Sequence, residues 1–260
     1  MSATRILLLG ALYLGLNLFA RPSLGQVHAD DGILEGRVSL YERANTAEAE
    51  AYLSEAEKSL ILILNTARLD GPTFVRRYLP LAADTTSARY AMVKSRLLKK
   101  GPATPLNPAF GLAKSAAIQA ADMGRHGLKG TTSSDGSPYY DRIHQQLPDA
   151  AGYASAYYIG SADPLDAVLH MLVADPDTVL AHMLLSPKLD YVGVAIRPHK
   201  LDCSNTVIDL ARRPPNVQVA QTPAKKRPKT EAYFLDCPKG AKVSQPRKPA
   251  KSGGVLGWFF

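Results

Sequence analysis

Apolar and polar positions in the first half of the chain follow the period of an α-helix. Apolar residues recur every three or four positions over 52–67, which predicts an amphipathic helix that ends near Asp70 and is followed by a short helix over 74–79. The same period predicts a third helix over 88–101 and a fourth, rich in alanine, over 106–127. This half of the chain is therefore expected to be helical.

The second half contains a further helix and then changes period. Ser161 or Asp163 is the candidate N-cap of a helix whose apolar residues share one face. Segments 191–198 and 205–213 alternate apolar and polar residues and are rich in β-branched side chains, as are strands with one buried face, and 152–160 is a candidate third strand. Helices first and strands late predict an α+β fold instead of a repeating parallel α/β unit.

The two ends of the chain differ from its centre. Residues 1–29 are expected to be a secretory signal peptide, since Arg5 precedes a short apolar run and small residues follow it. A retained signal anchor is the alternative, although the run is short for a membrane span. We expect a polar linker over 30–54, the globular domain over 55–211 and a tail over 212–260.

The tail carries the charge of the protein. The chain has a net charge of +8, whereas residues 211–260 hold eleven Lys and Arg against two acidic residues, so the rest is nearly neutral. Proline and lysine dominate the tail without periodicity, which predicts a disordered basic segment. In an exported protein we expect it to bind an anionic envelope surface, such as lipid headgroups or polysaccharide, and do not expect nucleic acid as a partner.

The chain contains two cysteines. Export makes a disulfide between Cys203 and Cys237 plausible, because extracytoplasmic compartments permit disulfides and only one pairing exists. Two free thiols are the alternative, since Cys237 falls in the predicted disordered tail.

Several phrases, taken in order, resemble the CAP superfamily, also called SCP-like domains, in its secreted bacterial form. They are "LILNTARLDGPTFVRRYL", "LNPAFGLAKSAAIQAADM", "SSDGSPYYDRI" and "SPKLDYVGVAIRPHK" followed by "NTVIDL", and they fall between residues 55 and 211. The resemblance implies a three-layer α-β-α sandwich with a long open cleft across the sheet.

The same resemblance implies that the chemistry of the cleft is degenerate. In the family the cleft usually carries two histidines and acidic residues that can hold a divalent metal. Here Thr131 stands at the position of one histidine and Ser155 at that of a glutamate, while His182 is the remaining cleft candidate and His126 a substitute ligand. Because a catalytic zinc site needs three protein ligands, we expect no cofactor, with zinc as a weakly supported alternative.

Three functions remain open at this stage. The first is a non-enzymatic binding or envelope-associated protein. The second is a hydrolase-type or metal-dependent enzyme that uses His182 and His126. The third is a lipid or sterol carrier, which rests on the resemblance and on a local cluster of tyrosines. A serine hydrolase is disfavoured, because the chain has no Gly-x-Ser-x-Gly phrase.

Residues 135–140 are expected to form the rim of the cleft. Asp135 and Gly136 are above all turn formers, and Tyr139 and Tyr140 follow them at the rim. The neighbouring pair 141–142 is interpreted as a salt bridge at the start of a helix. Of the other histidines, the sequence favours surface positions for His144 and His170, and it favours a structural turn for His199.

Overall fold

A computed structural model of the chain describes residues 38–174 and 178–212. The predicted signal peptide, residues 30–37 of the predicted linker, nearly all of the basic tail and Cys237 lie outside these residues. The signal peptide, the tail and the disulfide therefore stay predictions. Within the described ranges, none of the helices has the length and apolarity that crossing a bilayer would require.

Helices and strands follow the order expected from the sequence. The helices are α1 Leu40–Ala44, α2 Glu55–Leu69, α3 Gly71–Arg77, α4 Ala88–Lys99, α5 Phe110–His126, α6 Tyr139–Gln146, α7 Pro164–Leu169 and α8 Thr178–Leu184. A 3-10 turn spans Leu79–Leu81, and a π-helical turn, His170–Ala174, continues α7. The strands are β1 Asn107–Pro108, β2 Tyr153–Gly160, β3 Tyr191–Pro198 and β4 Ser204–Ala211.

The strands form one sheet with the order β1-β3-β4-β2. The short β1 pairs in parallel with β3, whereas β4 is antiparallel to both of its neighbours, β3 and β2. Asp209 at the centre of β4 is in register with Ser155 of β2 on one side and with Gly193 of β3 on the other. The α+β class is thus confirmed.

Capping hydrogen bonds define the first and last residues of α2, which the spacing of its apolar residues predicts only approximately. The Ser54 hydroxyl accepts from the backbone N–H of Glu57, whose carboxylate in turn accepts from the Ser54 N–H, so α2 begins at residue 55. Asp70 ends α2, and its carboxylate accepts from the N–H of Thr73, which starts α3 three residues before the predicted position.

Helices pack on both faces of the sheet. Alternate strand residues such as Ile208 and Leu210 join the main core, which they share with α2, α4 and α7. The residues between them, such as Val207, face α5. At Gly193, an added Cβ would collide with the backbone of α5 at Leu112 and Ala113, so the absence of a side chain lets α5 lie directly on β3.

Two buried polar side chains of α2 tie distant segments together. The Asn65 side chain accepts from the N–H of Leu106 (2.7 Å) and donates to the carbonyl of the same residue (3.1 Å). The Arg68 guanidinium donates to three carbonyls, those of Thr104, Leu184 and Leu189. Burial lowers the pKa of Arg68 to about 10, an effect opposed by the charge of Asp190. Arg68 thereby anchors the end of α8 to α2.

Candidate functional site

A buried ion pair lies between the sheet and α6. Asp209 of β4 is fully buried on the face toward α5, and Arg142 of α6 is only 5% exposed. Nη2 of Arg142 donates to Oδ1 of Asp209 at 3.3 Å. The interpretation that Arg142 pairs with the neighbouring Asp141 is wrong, because Arg142 points inward to Asp209 whereas Asp141 is exposed.

Two serines complete the surroundings of the carboxylate. Ser155 Oγ donates to one carboxylate oxygen of Asp209 and Ser115 Oγ to the other, each at 2.6 Å. Nε of Arg142 donates to Ser115 Oγ at 3.2 Å. Burial raises the pKa of Asp209 above its ordinary value of 3.8, while the charge of Arg142 and both hydroxyls oppose that shift.

The same guanidinium holds the loop over 127–138 by its backbone. Nη1 of Arg142 donates to the carbonyl of Thr131 (3.2 Å) and to Oε1 of the buried Gln119 (2.8 Å). Nε2 of Gln119 donates to the carbonyls of Gly130 and Thr132. The loop is thus fixed to α5 and α6 through main-chain oxygens.

We call Ser115, Gln119, Arg142, Ser155 and Asp209 the Arg142–Asp209 cluster. Two predicted cleft positions meet here, since Ser155 is a member and Thr131 offers its carbonyl. The donors and acceptors of the cluster are directed at one another and at backbone carbonyls of the loop, so the cluster holds β2, β4, α5, α6 and the loop together. The sequence analysis did not identify Asp209 as a site residue. It could have been found as an acidic residue at a position of a predicted strand where the side chain is expected to be buried.

The loop contains the predicted turn. The N–H of Gly136 donates to the carbonyl of Ser133 at 3.0 Å, and Gly136 has a φ of 86°, which favours glycine. Asp135 Oδ1 accepts from the N–H of Ser137, and the hydrogen bonds from Ser137 lower the pKa of the Asp135 carboxyl. Tyr139 and Tyr140 then open α6, their rings 5.7 Å apart.

His126 lies at the end of α5, beside the same loop. Its Nδ1 is 2.9 Å from Oδ1 of Asp122, which also accepts from the Ser134 hydroxyl at 2.7 Å. Desolvation opposes the shift, but these bonds together lower the pKa of Asp122. The imidazole is 44% exposed, so it lies at the surface and not within the Arg142–Asp209 cluster.

His182 lies elsewhere in the fold. It lines a cavity of 370 Å³ together with Ala181 and with Met92, Val93 and Arg96 of α4. The apolar residues of α8 belong to the main core, on the face of the sheet opposite α5. The structure therefore does not bring His182 together with His126, nor with Thr131 and Ser155. Across residues 38–174 and 178–212, no group of three or more His, Cys, Asp or Glu is arranged to hold a metal.

The other histidines of the described ranges, His144, His170 and His199, have structural partners. Nε2 of the buried His199 is 3.1 Å from the carbonyl of Leu128. Nδ1 of the exposed His144 lies 2.9 Å from the Tyr153 hydroxyl, and the His170 ring lies 4.8 Å from that of Tyr158. These contacts tie turns and strands to their neighbours.

Comparison with known proteins gives distant likenesses. No protein-family model matches the chain, and no curated protein matches it. An extracellular protein containing an SCP domain from Bacillus anthracis is similar with a TM-score of 0.38 and 15% identity, over 47% of this chain and 37% of that one. An outer surface protein of Borrelia burgdorferi is similar with a TM-score of 0.38 and 17% identity, over 50% of this chain and 96% of that one. The first match thus spans little more than a third of the Bacillus chain.

Proposed function

We propose that the chain is a secreted, CAP-like, non-enzymatic binding or envelope-associated protein whose cleft is degenerate. The order of the phrases between residues 55 and 211 supports the family, and the packing of helices on both faces of the sheet is compatible with its three-layer sandwich. Export would follow from the predicted signal peptide. The basic tail would hold the domain at an anionic envelope surface.

The Arg142–Asp209 cluster is the observation that carries this proposal. At Ser155, the position of the family's glutamate, the hydroxyl is committed to Asp209. At Thr131, the position of the family's histidine, the contact with Arg142 is made by the backbone carbonyl. A general base or a metal ligand must be able to reach a substrate or an ion, whereas these groups are directed into a buried ion pair. At the two positions where the family has a glutamate and a histidine, this chain thus has groups that support the fold.

Zinc titration tests this proposal. Calorimetry of the full chain at neutral pH is expected to give no stoichiometric zinc site, because His126 and His182 lie on different sides of the sheet and a zinc site needs at least three protein ligands. His126→Ala and His182→Ala should give the same trace as the parent. His144→Ala, which removes an exposed histidine, is the matched control.

One zinc ion bound per chain, and lost in either His126→Ala or His182→Ala but retained in His144→Ala, would contradict the proposal. That result would favour the metal-dependent enzyme instead.

A further inference from the structure

The outer face of α4 is apolar, although it is directed at solvent. Val93 and Leu97 are buried in the main core, on the inner side of the helix. On the outer side, Met92 is 44% exposed and Leu98 is 50% exposed, and the adjacent Ala91 is exposed as well. A surface helix usually carries charged and polar residues on the face that points away from the core. Helix α4 therefore has a second apolar face, which is open to solvent.

Basic side chains border this outer face. At 3.6 residues per turn, Lys94 falls beside Leu98 on one edge of the face, and Arg96 falls beside Met92 on the other. Lys99, in the last turn, lies within the face. Within the described part of the chain, the three basic side chains form no hydrogen bond or ion pair. We call Met92, Lys94, Arg96, Leu98 and Lys99 the α4 surface.

Acidic residues do not balance this charge along the sequence. Residues 85–121 contain six Lys and Arg and neither Asp nor Glu. Helix α3, which packs against α4, also ends in basic residues, Arg76 and Arg77. The nearest preceding acid, Asp84, accepts hydrogen bonds from backbone N–H groups just before α4. The α4 surface is therefore positively charged as well as apolar.

We propose that the α4 surface docks on a bilayer that contains anionic phospholipid, with α4 parallel to the plane of the membrane. Met92 and Leu98 enter the boundary between headgroups and acyl chains, while the basic side chains around them reach the lipid phosphates. Helix α4 has 12 residues, too few to cross a bilayer, so the contact is with its surface.

The combination of apolar and basic side chains favours a lipid surface over other partners. An anionic polysaccharide would use the charges but would leave Met92 and Leu98 in water. A protein partner would cover the apolar side chains, but lysine is depleted in protein interfaces, and Lys99 lies within this face. Only an anionic bilayer offers an apolar layer beneath a layer of negative charge.

This inference rests on the proposed association with the envelope, and it adds a contact made by the folded domain to the contact expected from the basic tail. Helix α4 joins the main core, on the face of the sheet opposite α5. Substitutions on the α4 surface should therefore leave the Arg142–Asp209 cluster and the zinc titration unchanged. The two proposals can thus fail separately.

Co-sedimentation of the full chain with vesicles tests the inference. One set of vesicles contains phosphatidylcholine alone, and the other contains phosphatidylcholine mixed with phosphatidylglycerol. The parent is expected to bind the mixed vesicles at least about tenfold more tightly, because only these carry negative charge. Since the basic tail also responds to this charge, variants of the α4 surface are needed to isolate its contribution.

Leu98→Gln should weaken binding to the mixed vesicles by about fivefold or more, because an exposed apolar side chain no longer leaves water on docking. The double variant Lys94→Gln, Lys99→Gln should weaken it by about tenfold or more, since each cation near an anionic surface contributes about fivefold. All three positions are exposed, so these variants should melt at the temperature of the parent.

Leu201→Gln and Lys200→Gln are the matched controls. Both residues are exposed in the turn between β3 and β4, away from α4, and Leu201 is 62% exposed. These variants lose the same kinds of side chain as the variants of the α4 surface. They should bind the mixed vesicles as the parent does.

Three results would overturn the inference. The first is unchanged vesicle binding in Leu98→Gln or in the double lysine variant, which would leave the tail as the contact with the membrane. The second is full competition by soluble polygalacturonate with unchanged binding in Leu98→Gln, which would assign the basic residues to a polysaccharide. The third is a dimer, seen by sedimentation of the parent without vesicles, that Leu98→Gln dissociates, which would assign the face to a second copy of the chain.

Discussion

Asp209→Asn is expected to lower the free energy of unfolding by about 3–5 kcal/mol, the cost of leaving a buried charge without its partner. The amide keeps the shape of the carboxylate but removes the negative charge that faces Arg142, whose side chain is only 5% exposed. The NH2 group of the asparagine would also replace a carboxylate oxygen that accepts a hydrogen bond from a serine hydroxyl, and an NH2 group cannot accept that bond. Chemical denaturation at pH 7 measures this loss.

Arg142→Met should cost less than Asp209→Asn at low pH, because a carboxyl can become neutral by taking up a proton. Burial already raises the pKa of Asp209 above 3.8, and the variant removes the cation that opposes this shift. The folded state then keeps a proton that the unfolded state releases. The free energy of unfolding of Arg142→Met should therefore fall, relative to the parent, as the pH rises from about 4.

Arg125→Met is the matched control for both variants, because Arg125 is exposed on α5, which packs against the same cluster. Its unfolding free energy should stay within about 0.5 kcal/mol of the parent at every pH. If Asp209→Asn were equally mild, the cluster would not be what holds the loop and the sheet together.

Gly193→Ala is expected to be the second large effect, with a loss of about 1–3 kcal/mol from overpacking. The new methyl group would meet the backbone of α5 at Leu112 and Ala113, and a helix backbone cannot turn aside as a flexible side chain can. Moving α5 away from β3 would also move Ser115, which donates to Asp209. Thermal and chemical denaturation both report this loss.

Gly101→Ala provides the comparison, since nothing lies within 4 Å of the Cβ it would add. There the substitution should be neutral or stabilise by about 0.4–1 kcal/mol, through a less flexible unfolded chain. Equal stability of Gly193→Ala and Gly101→Ala would mean that α5 and β3 are not in the close contact described above.

Local patterns predicted most of the secondary structure. Helix α4 was expected over 88–101 and spans Ala88–Lys99, and β3 spans the predicted residues 191–198. These elements have a clear period and a turn residue or proline at their ends. The boundary of α3 was shifted because Asp70 both ends one helix and caps the next, a local hydrogen bond that apolar spacing does not reveal.

The site could be predicted only in part, because its contacts are long-range. Thr131 and Ser155 were chosen by resemblance, and the structure brings both to Arg142 and Asp209, which are 67 residues apart in the sequence. The period of α8 indicates which of its sides is apolar but not which face of the sheet that side covers. His182 was chosen as a cleft candidate by resemblance to a family phrase, and the structure places it beside α4, where it lines a cavity.

A double-mutant cycle on Arg142 and Asp209 tests most directly whether their pairing is the scaffold that joins α6 to the sheet. Unfolding free energies of the parent, Arg142→Met, Asp209→Asn and the double variant would be measured at pH 7. We predict that the double variant is more stable than Asp209→Asn alone and that the coupling reaches about 2–3 kcal/mol, because removing Arg142 relieves its unpaired charge. Losses that simply add, within about 0.5 kcal/mol, would contradict the account.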